Sequence, residues 1–328
     1  MTWLVTGGAG YIGAHVVDAL QRRDEPVVVL DDFSTGERGR TGDAVLVEGS
    51  VLDGELVRRT LAEHQVRGII HIAAKKQPGE SVFEPLNYYG ENVGGMIELL
   101  AAARDVGVES FVFSSSCATY GTPDVDVVTE DAPQEPVSPY GRTKLVCEWL
   151  SRDVAATTGL RVIALRYFNV AGAVRPELGD PGIYNLIPMV FERIVVGEPP
   201  RIFGADYPTP DGTCIRDYIH VADIADAHVA ALQDLAAGRS DAAYRAFNIG
   251  RGEGSSVREV IKTIADVTRI DLEPVVVDRR PGDPARIVAS SDRIKTELGW
   301  TARYDLHDMV TSAWEAWQHR HQPPFSGR

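Results

Sequence analysis

TGGAGYIG, residues 6–13, is the stretch on which the reading of this chain turns. It follows an apolar run, WLVTG (3–7), and opens a segment of helical character. Gly7, Gly10 and Gly13 recur at every third position. A strand-to-helix turn of this kind needs residues without a Cβ, so that the backbone can close tightly and approach a pyrophosphate. The helix beginning there offers free N–H groups and the positive end of its dipole. Gly7, Gly10, Tyr11, Ile12 and Gly13 are therefore candidate dinucleotide-binding positions.

Working outward, short runs rich in Val, Ile, Leu and Phe alternate with helical patterns. WLVTG (3–7), VVVLD (27–31), AVLVEG (44–49), GIIHIA (68–73), SFVFSS (110–115) and RVIALRY (161–167) read as strands. Their nearly continuous apolar character suits strands buried on both faces of a parallel sheet. Between them, Val93, Met96, Ile97, Leu100 and Ala101 repeat at helical spacing, and Leu145, Trp149 and Leu150 form an apolar stripe after Pro139. The alternation predicts an α/β fold, a Rossmann-type doubly wound parallel sheet. After about residue 172, Gly and Pro become frequent and the pattern turns irregular. This predicts a dinucleotide-binding lobe over 1–172, joined by a returning segment near 215–240, and a smaller C-terminal substrate lobe over 173–328. VADIADAHVAALQDL (221–235) is the returning helix, and the tail RHQPPFSGR is expected to fray.

The chain of 328 residues carries a formal net charge of −14. That argues against nucleic acid and anionic membranes as partners, since both need a positive field. Cys117, Cys147 and Cys214 form no metal or disulfide spacing, which suits a reducing compartment. No apolar run reaches about 18 residues and no signal-peptide pattern opens the chain. A cytoplasmic protein is expected. His220 and His228 stand near Asp223 and Asp226, but their spacing matches no ligand pattern, and no metal is expected.

Three further motifs carry chemistry. Asp31 closes the second strand, followed by Asp32. An acid there can accept both hydroxyls of an adenosine ribose and would repel a 2′-phosphate, favouring NAD over NADP. Ser114, Ser115 and Ser116 end the fifth strand, at the edge where open α/β sheets bind ligands. SPYGRTK (138–144) puts Tyr140 and Lys144 four apart behind a Ser-Pro helix start, hence on one helix face. A free phenol has a pKa of about 10, and bringing it to about 7 takes roughly 4 kcal/mol. A nearby ammonium, a helix N-terminus and a nicotinamide cation can together supply that, making Tyr140 a candidate general base.

With these motifs in order, the sequence resembles the extended short-chain dehydrogenase/reductase superfamily and, within it, the UDP-glucose (UDP-galactose) 4-epimerases. The similarity runs nearly end to end, through GESVFEPLNYYGENVGG, SFVFSSSCATYG, LRYFNVAGA, RIFGADYPTPDGTCIRDYIHVADIADAH, FNIGRGEGSSV and RRPGD. The resemblance implies bound NAD and reversible C4 epimerisation of a UDP-sugar through a 4-keto intermediate. It casts Tyr140 as base, Lys144 as the residue that holds the nicotinamide ribose and lowers the phenol's pKa, and Ser116 as partner to the C4 oxygen. It assigns Gly7, Gly10, Tyr11, Ile12, Gly13, Asp31, Asp32, Ser50, Val51, Lys76, Asn92, Tyr140, Lys144 and Tyr167 to the cofactor. Ser116, Tyr140, Asn169, Asn185, Leu186, Phe203, Arg216, Arg280 and Asp283 fall to the nucleotide sugar, with Phe168 flanking. It also implies a homodimer through helices near 90–103 and 142–157.

Two departures matter. Ser50 stands where the family commonly has an acid for the adenine amino group, so weaker adenine anchoring is expected unless Asp53 turns in. Ile287 stands at the position that gates the sugar C2 substituent, and its bulk favours unmodified sugars over N-acetylated ones. Among rival readings, a 4,6-dehydratase needs an Asp-Glu pair where this chain has Cys117 and Ala118. A uronic-sugar enzyme wants an extra cation, and a non-catalytic dinucleotide sensor would not need both Tyr140 and Lys144.

Overall fold

The computed structural model describes residues 1–280 and 282–321. Pro281 of the RRPGD motif and positions 322–328 of the tail lie outside the described residues, while Arg320 and His321 close the helix Leu306–His321. Six strands lead the fold: β1 (Thr2–Thr6), β2 (Val27–Asp31), β3 (Val45–Glu48), β4 (Val66–His71), β5 (Ser110–Ser116) and β6 (Arg161–Tyr167). They form one parallel sheet in the order β3-β2-β1-β4-β5-β6, with Tyr244–Ile249 added beside β6 as its seventh strand. The order reverses between β1 and β4, and a ligand crevice opens outside the carboxyl ends of the strands at such a switch point.

Strand alternation divides the core between two layers. Trp3, Val5 and Val29 pack with Val16 and Leu20 of the helix Tyr11–Gln21 and with Ile224 and Leu232 of Val221–Ala237. Leu4, Val28 and Leu30 face the other way, onto Val57 and Leu61 of Gly54–Glu63 and Met96 and Leu100 of Gly95–Val106. Each such fully buried side chain contributes about 1.5–3 kcal/mol. The segment returning to this lobe is longer than the sequence implies: it brings the strand Tyr244–Ile249 as well as the helix.

Two helix faces differ from expectation. Trp149 is 52% exposed, because the inner face of Pro139–Thr157 carries Lys144, Cys147, Glu148 and Ser151 instead. Ile97 is 49% exposed, because a π-helical stretch over Tyr89–Gly94 sets the phase of the next helix and turns Met96, Leu99 and Leu100 inward.

Outside the main sheet and its two layers, the rest of the chain is built on short strands. Asn169–Ala171, Gly254–Ser256 and Arg286–Ile287 join Ile215–His220, and Val275–Val277 pairs with Arg201–Phe203. Its core holds Ile187, Val190, Phe191, Val260, Ile264 and Met309, with Trp314 and Trp317 packed 5.0 and 5.7 Å from the Phe191 ring. Two residues tie the two parts together. The Tyr11 hydroxyl donates to the Gly172 carbonyl at 2.5 Å, and the Arg40 guanidinium donates to the Leu178 carbonyl at 2.6 Å.

The turn at 7–13 brings backbone directly against backbone. Gly7 has φ +70, and a Cβ at Gly13 would lie 2.0 Å from the Gly7 carbonyl oxygen. Gly13→Ala is therefore expected to lower the unfolding free energy by about 1–3 kcal/mol through forced backbone movement. Urea titration reads this, and an unchanged midpoint would show that the turn has slack.

Candidate active site

A cavity of about 610 Å³ lies along the carboxyl ends of the strands. Gly7, Gly10, Tyr11, Ile12, Gly13, Asp31, Asp32, Ser50, Val51 and Lys76 line one end, and Ser114, Ser115, Ser116, Tyr140, Lys144 and Tyr167 form the middle. Asn169 and Asn185 stand at the other end.

The helices Tyr11–Gln21 and Leu186–Val196 begin on this cavity without a side-chain cap. Tyr11–Gln21 starts at Gly10, and Leu186–Val196 starts at Asn185, whose amide leaves the helix N–H groups free. Each is a ready site for a phosphate. At the end of β2 the Asp31 carboxylate accepts from the Ala9 and Phe33 N–H groups, both at 2.9 Å. Burial still holds its pKa above the ordinary value. Asp32 accepts from the Ser34 N–H at 2.9 Å. Asp53 does not turn toward Ser50. It caps the helix Gly54–Glu63 through the Leu56 N–H at 3.0 Å, and the Ser50 hydroxyl accepts from the Leu52 N–H at 3.1 Å.

Asn92 is buried and off the cavity lining. Its amide accepts from the Lys75 N–H at 2.8 Å and donates to the Thr143 hydroxyl at 3.0 Å, so it fixes the loop after β4 against the helix Pro139–Thr157. The sequence reading missed Lys75, Thr35, Asp180 and Tyr184, which also line the cavity. The last two lie in the Gly/Pro-rich stretch LGDPGIYN, whose irregularity marks a loop but not its direction.

The centre of the site rests on one helix start. Ser138 caps it, accepting from the Gly141 N–H at 3.1 Å, and the Ser81 hydroxyl accepts from the Tyr140 N–H at 3.1 Å. Burial pushes the Tyr140 phenol up to about 12, with the Ser116 hydroxyl beside it pulling the other way. Lys144 is also buried and is pushed down to about 8; it donates to the Ser114 carbonyl at 2.9 Å and stands 5.1 Å from the Phe113 ring centre. In the chain without its cofactor, burial, Ser116 and Cys117 are the influences on the phenol. The ammonium stands 6.0 Å from the phenol ring centre and gives one of its three donors to a carbonyl. Behind the wall, the Ser114 hydroxyl meets His228 Nε2 at 3.1 Å. His220 caps its own helix through the Ala222 N–H at 2.9 Å.

At the far end the structure separates the assigned residues. Asn169 donates to the Asp217 carbonyl at 3.3 Å, beside the cavity. Leu186, Phe203, Arg216, Arg280 and Asp283 lie beyond its lining. Arg216 pairs with Asp283, and Arg280 covers the Phe203 ring at 3.9 Å, so neither guanidinium is turned toward the cavity. Ile287, the register partner of Arg216, packs with Cys117 and with Phe168 of the cavity lining, which puts this cluster adjacent to the centre.

Residues 3–250 match the model of the NAD dependent epimerase/dehydratase family. The chain belongs to that family. It is 45% identical over 320 residues to a UDP-glucose 4-epimerase of Azospirillum brasilense, covering 96% of this chain and 91% of that protein. A UDP-glucose 4-epimerase of Stenotrophomonas maltophila, solved with NAD and formylated UDP-arabinopyranose, superposes with a TM-score of 0.92 at 41% identity over 98% of both chains. One from Bifidobacterium longum, solved with NAD⁺ and UDP, gives 0.88 at 36% identity over 98% of this chain and 99% of the other.

For this family member the burial of Lys144 has a stability cost with a defined pH window. Its folded pKa of about 8 lies below the ordinary 10.5, so between those values the unfolded chain binds more protons and stability rises with pH. The cost is fully present below about 8. Lys144→Met should therefore stabilise the fold by about 3 kcal/mol at pH 7, a gain that fades toward pH 10.5. Denaturant unfolding at several pH values checks this. A variant less stable than the parent, or a pH-independent difference, would contradict it.

Proposed function

We propose that this chain catalyses the reversible C4 epimerisation of UDP-glucose and UDP-galactose with NAD as its resident cofactor. The observation that carries this reading is the meeting of Tyr140, Ser116 and Lys144 on the wall of a cavity served by two uncapped helix N-termini. Two phosphate sites suit two pyrophosphates, one in the cofactor and one in a nucleotide sugar. The cradle at Gly7 and Gly13, which a Cβ would fill, and Asp31 at the end of β2 fit a dinucleotide without a 2′-phosphate.

NAD, when bound, exchanges hydride with a carbinol carbon and brings a positive ring near the phenol. The chain's own residues handle the proton. Tyr140 takes it from the C4 hydroxyl and returns it, the Ser116 hydroxyl holds the C4 oxygen, and Lys144 sets the local charge. The uridine diphosphate is bound by the smaller lobe, with Arg216 and Arg280 as its cations once Asp283 and Phe203 release them. Binding energy remote from the reacting carbon lets the sugar itself be held loosely enough to present either face. Ile287 lies off the cavity lining but packs behind Phe168, which is on it, and this bulk favours unmodified sugars. With Asp53 committed to its helix, adenine is anchored through Ser50 alone at that corner. The three free thiols, Cys117, Cys147 and Cys214, suit the cytoplasm.

The test is incubation with UDP-galactose, with and without added NAD, and quantification of UDP-glucose. Product is expected in the parent protein, with UDP-N-acetylglucosamine turned over at least about tenfold more slowly. Tyr140→Phe should keep UDP-sugar affinity and lose about 10²–10⁴-fold in turnover. Absence of UDP-glucose in both arms, or an active Tyr140→Phe, defeats the proposal.

The protein acts as a homodimer through the outer helices of the first lobe. Phe83 and Leu86 are 83% and 87% exposed, and Ile97 and Trp149 are exposed on the neighbouring helices. Among the described residues no helix is long and apolar enough to cross a membrane, so a membrane span does not account for this apolar face. Light scattering should give twice the chain mass of 35.7 kDa, and Leu86→Glu with Trp149→Glu should return the single mass. A monomeric parent would rule this interface out.

A further inference from the structure

The helix Pro139–Thr157 carries a third titratable group in register with the proposed pair: Tyr140, Lys144 and Glu148 recur every fourth residue, on one face. Glu148 is fully buried. One carboxylate oxygen accepts from the Ser115 hydroxyl at 2.5 Å and from Arg166 Nε at 2.9 Å. The other accepts from the second Arg166 arm at 2.6 Å and from the Tyr244 hydroxyl at 3.1 Å. Arg166 in turn donates to the Tyr120 hydroxyl at 2.8 Å and to the Glu130 carbonyl at 3.1 Å.

Three successive turns of one helix are thus matched to three successive serines of β5. Tyr140 stands beside Ser116, Lys144 holds the Ser114 carbonyl, and Glu148 holds the Ser115 hydroxyl. A helix that slid or rotated against the strand would break all three. We propose that Glu148 is a positioning residue for the proton-transfer pair, fixing the helix on the three serines and serving as counter-charge to the Lys144 ammonium. The inference rests on Tyr140 and Lys144 carrying the reaction.

The counter-charge role follows from what surrounds Lys144. From β4 comes His71, pushed down to about 3 and hence neutral. From β5 come a carbonyl and the Phe113 ring. From β6 come Tyr167, whose burial keeps it protonated, and Arg166, which is already paired. The helix Val221–Ala237 sends His228, pushed down to about 4. On its own helix Tyr140 and Cys147 are both pushed up to about 12 and are neutral. Among the described residues, Glu148 is the carboxylate that favours the charged amine.

The experiment compares Ser115→Ala, the double variant Glu148→Met with Arg166→Met, and Tyr140→Phe in the UDP-galactose assay over pH 6–10. Replacing both partners of a buried ion pair by apolar residues of similar volume is commonly neutral or stabilising, so the double variant should fold. Its KM is expected to stay within about twofold while kcat falls about 10²-fold, the scale of a misplaced catalytic group. The alkaline limb of kcat should move to lower pH, because the amine loses its proton sooner. A folded double variant with parental kcat overturns the inference. So does a lower kcat with the limb unmoved, since loosened packing alone would give that. Ser115→Ala removes one hydrogen bond and no charge. It is expected to lower kcat several-fold at unchanged KM, and parental kcat there also counts against the inference. Tyr140→Phe separates the two levels: if it turns over normally the proposed function fails, whereas parental behaviour of the other variants alone sinks only the role of Glu148.

Discussion

A lysine ammonium buried against a strand carbonyl sets the terms for the rest of this molecule. Removing an amine from water costs several kcal/mol unless it is compensated, and the usual response is loss of the proton. Here Lys144 is drawn down only to about 8. The Ser114 carbonyl, the face of Phe113 and the Glu148 carboxylate together retain most of the charge at neutral pH. Each of those groups has its own support. Phe113 stacks on His71, Ser114 is tied to His228, and Glu148 is bound to Arg166. The buried amine is therefore a cost that the fold carries at its site, offset in part by groups from the surrounding strands and helices that have supports of their own.

The acidic balance of the whole chain and the anionic ligands of its cavity are reconciled by scale. The net charge of −14 is spread over a surface where arginines are mostly paired with acids. Surface charges of that kind are screened within about 8–10 Å in physiological salt. Inside the cavity the positive character comes from Lys75, Lys76 and Lys144 on its lining and from backbone N–H groups at two helix starts, which are fixed and need no long side chain to be ordered. Local charges and dipoles decide binding there, and the global charge decides only which polyanions stay away.

Much of this was legible in the sequence because local chemistry forces it. The strands of the main sheet, the glycine turn and the helix start at Ser138-Pro139 follow from residues whose requirements are short-ranged. Three features resisted. Trp149 reads as core by spacing, and Leu145 and Leu150 do pack inward, yet Trp149 itself is exposed because the helix also turns Lys144, Glu148 and Ser151 toward a serine strand and a buried arginine. Asn92 reads as a ligand contact by resemblance, yet its amide is consumed in holding the Lys75 backbone. Arg216 and Arg280 read as free cations, yet pairing across 67 positions with Asp283 and stacking on Phe203 occupy them. In each case the deciding partner is remote in the chain, and spacing carries no information about it. The Glu148 register was different: the step of four from Tyr140 to Lys144 continues for one more turn, and the pattern was open to view.

The phenol itself shows why the site needs more than its own side chains. An isolated tyrosine at about 10 would need roughly 4 kcal/mol to reach neutrality, but burial has taken Tyr140 to about 12, which raises the requirement to roughly 7 kcal/mol. A lysine 6.0 Å from the ring centre and already bound to a carbonyl does not supply that. A freely formed phenolate is therefore not the working species of the chain by itself. What the arrangement does supply is a half-buried phenol on the cavity wall, a hydroxyl at its side and a fixed cation behind it, all in place before any ligand arrives. Proton transfer is then favourable only while a further positive charge stands close by. The same desolvation makes the resting phenol a poor base, so the reactivity of the site is conditional on its ligands being present.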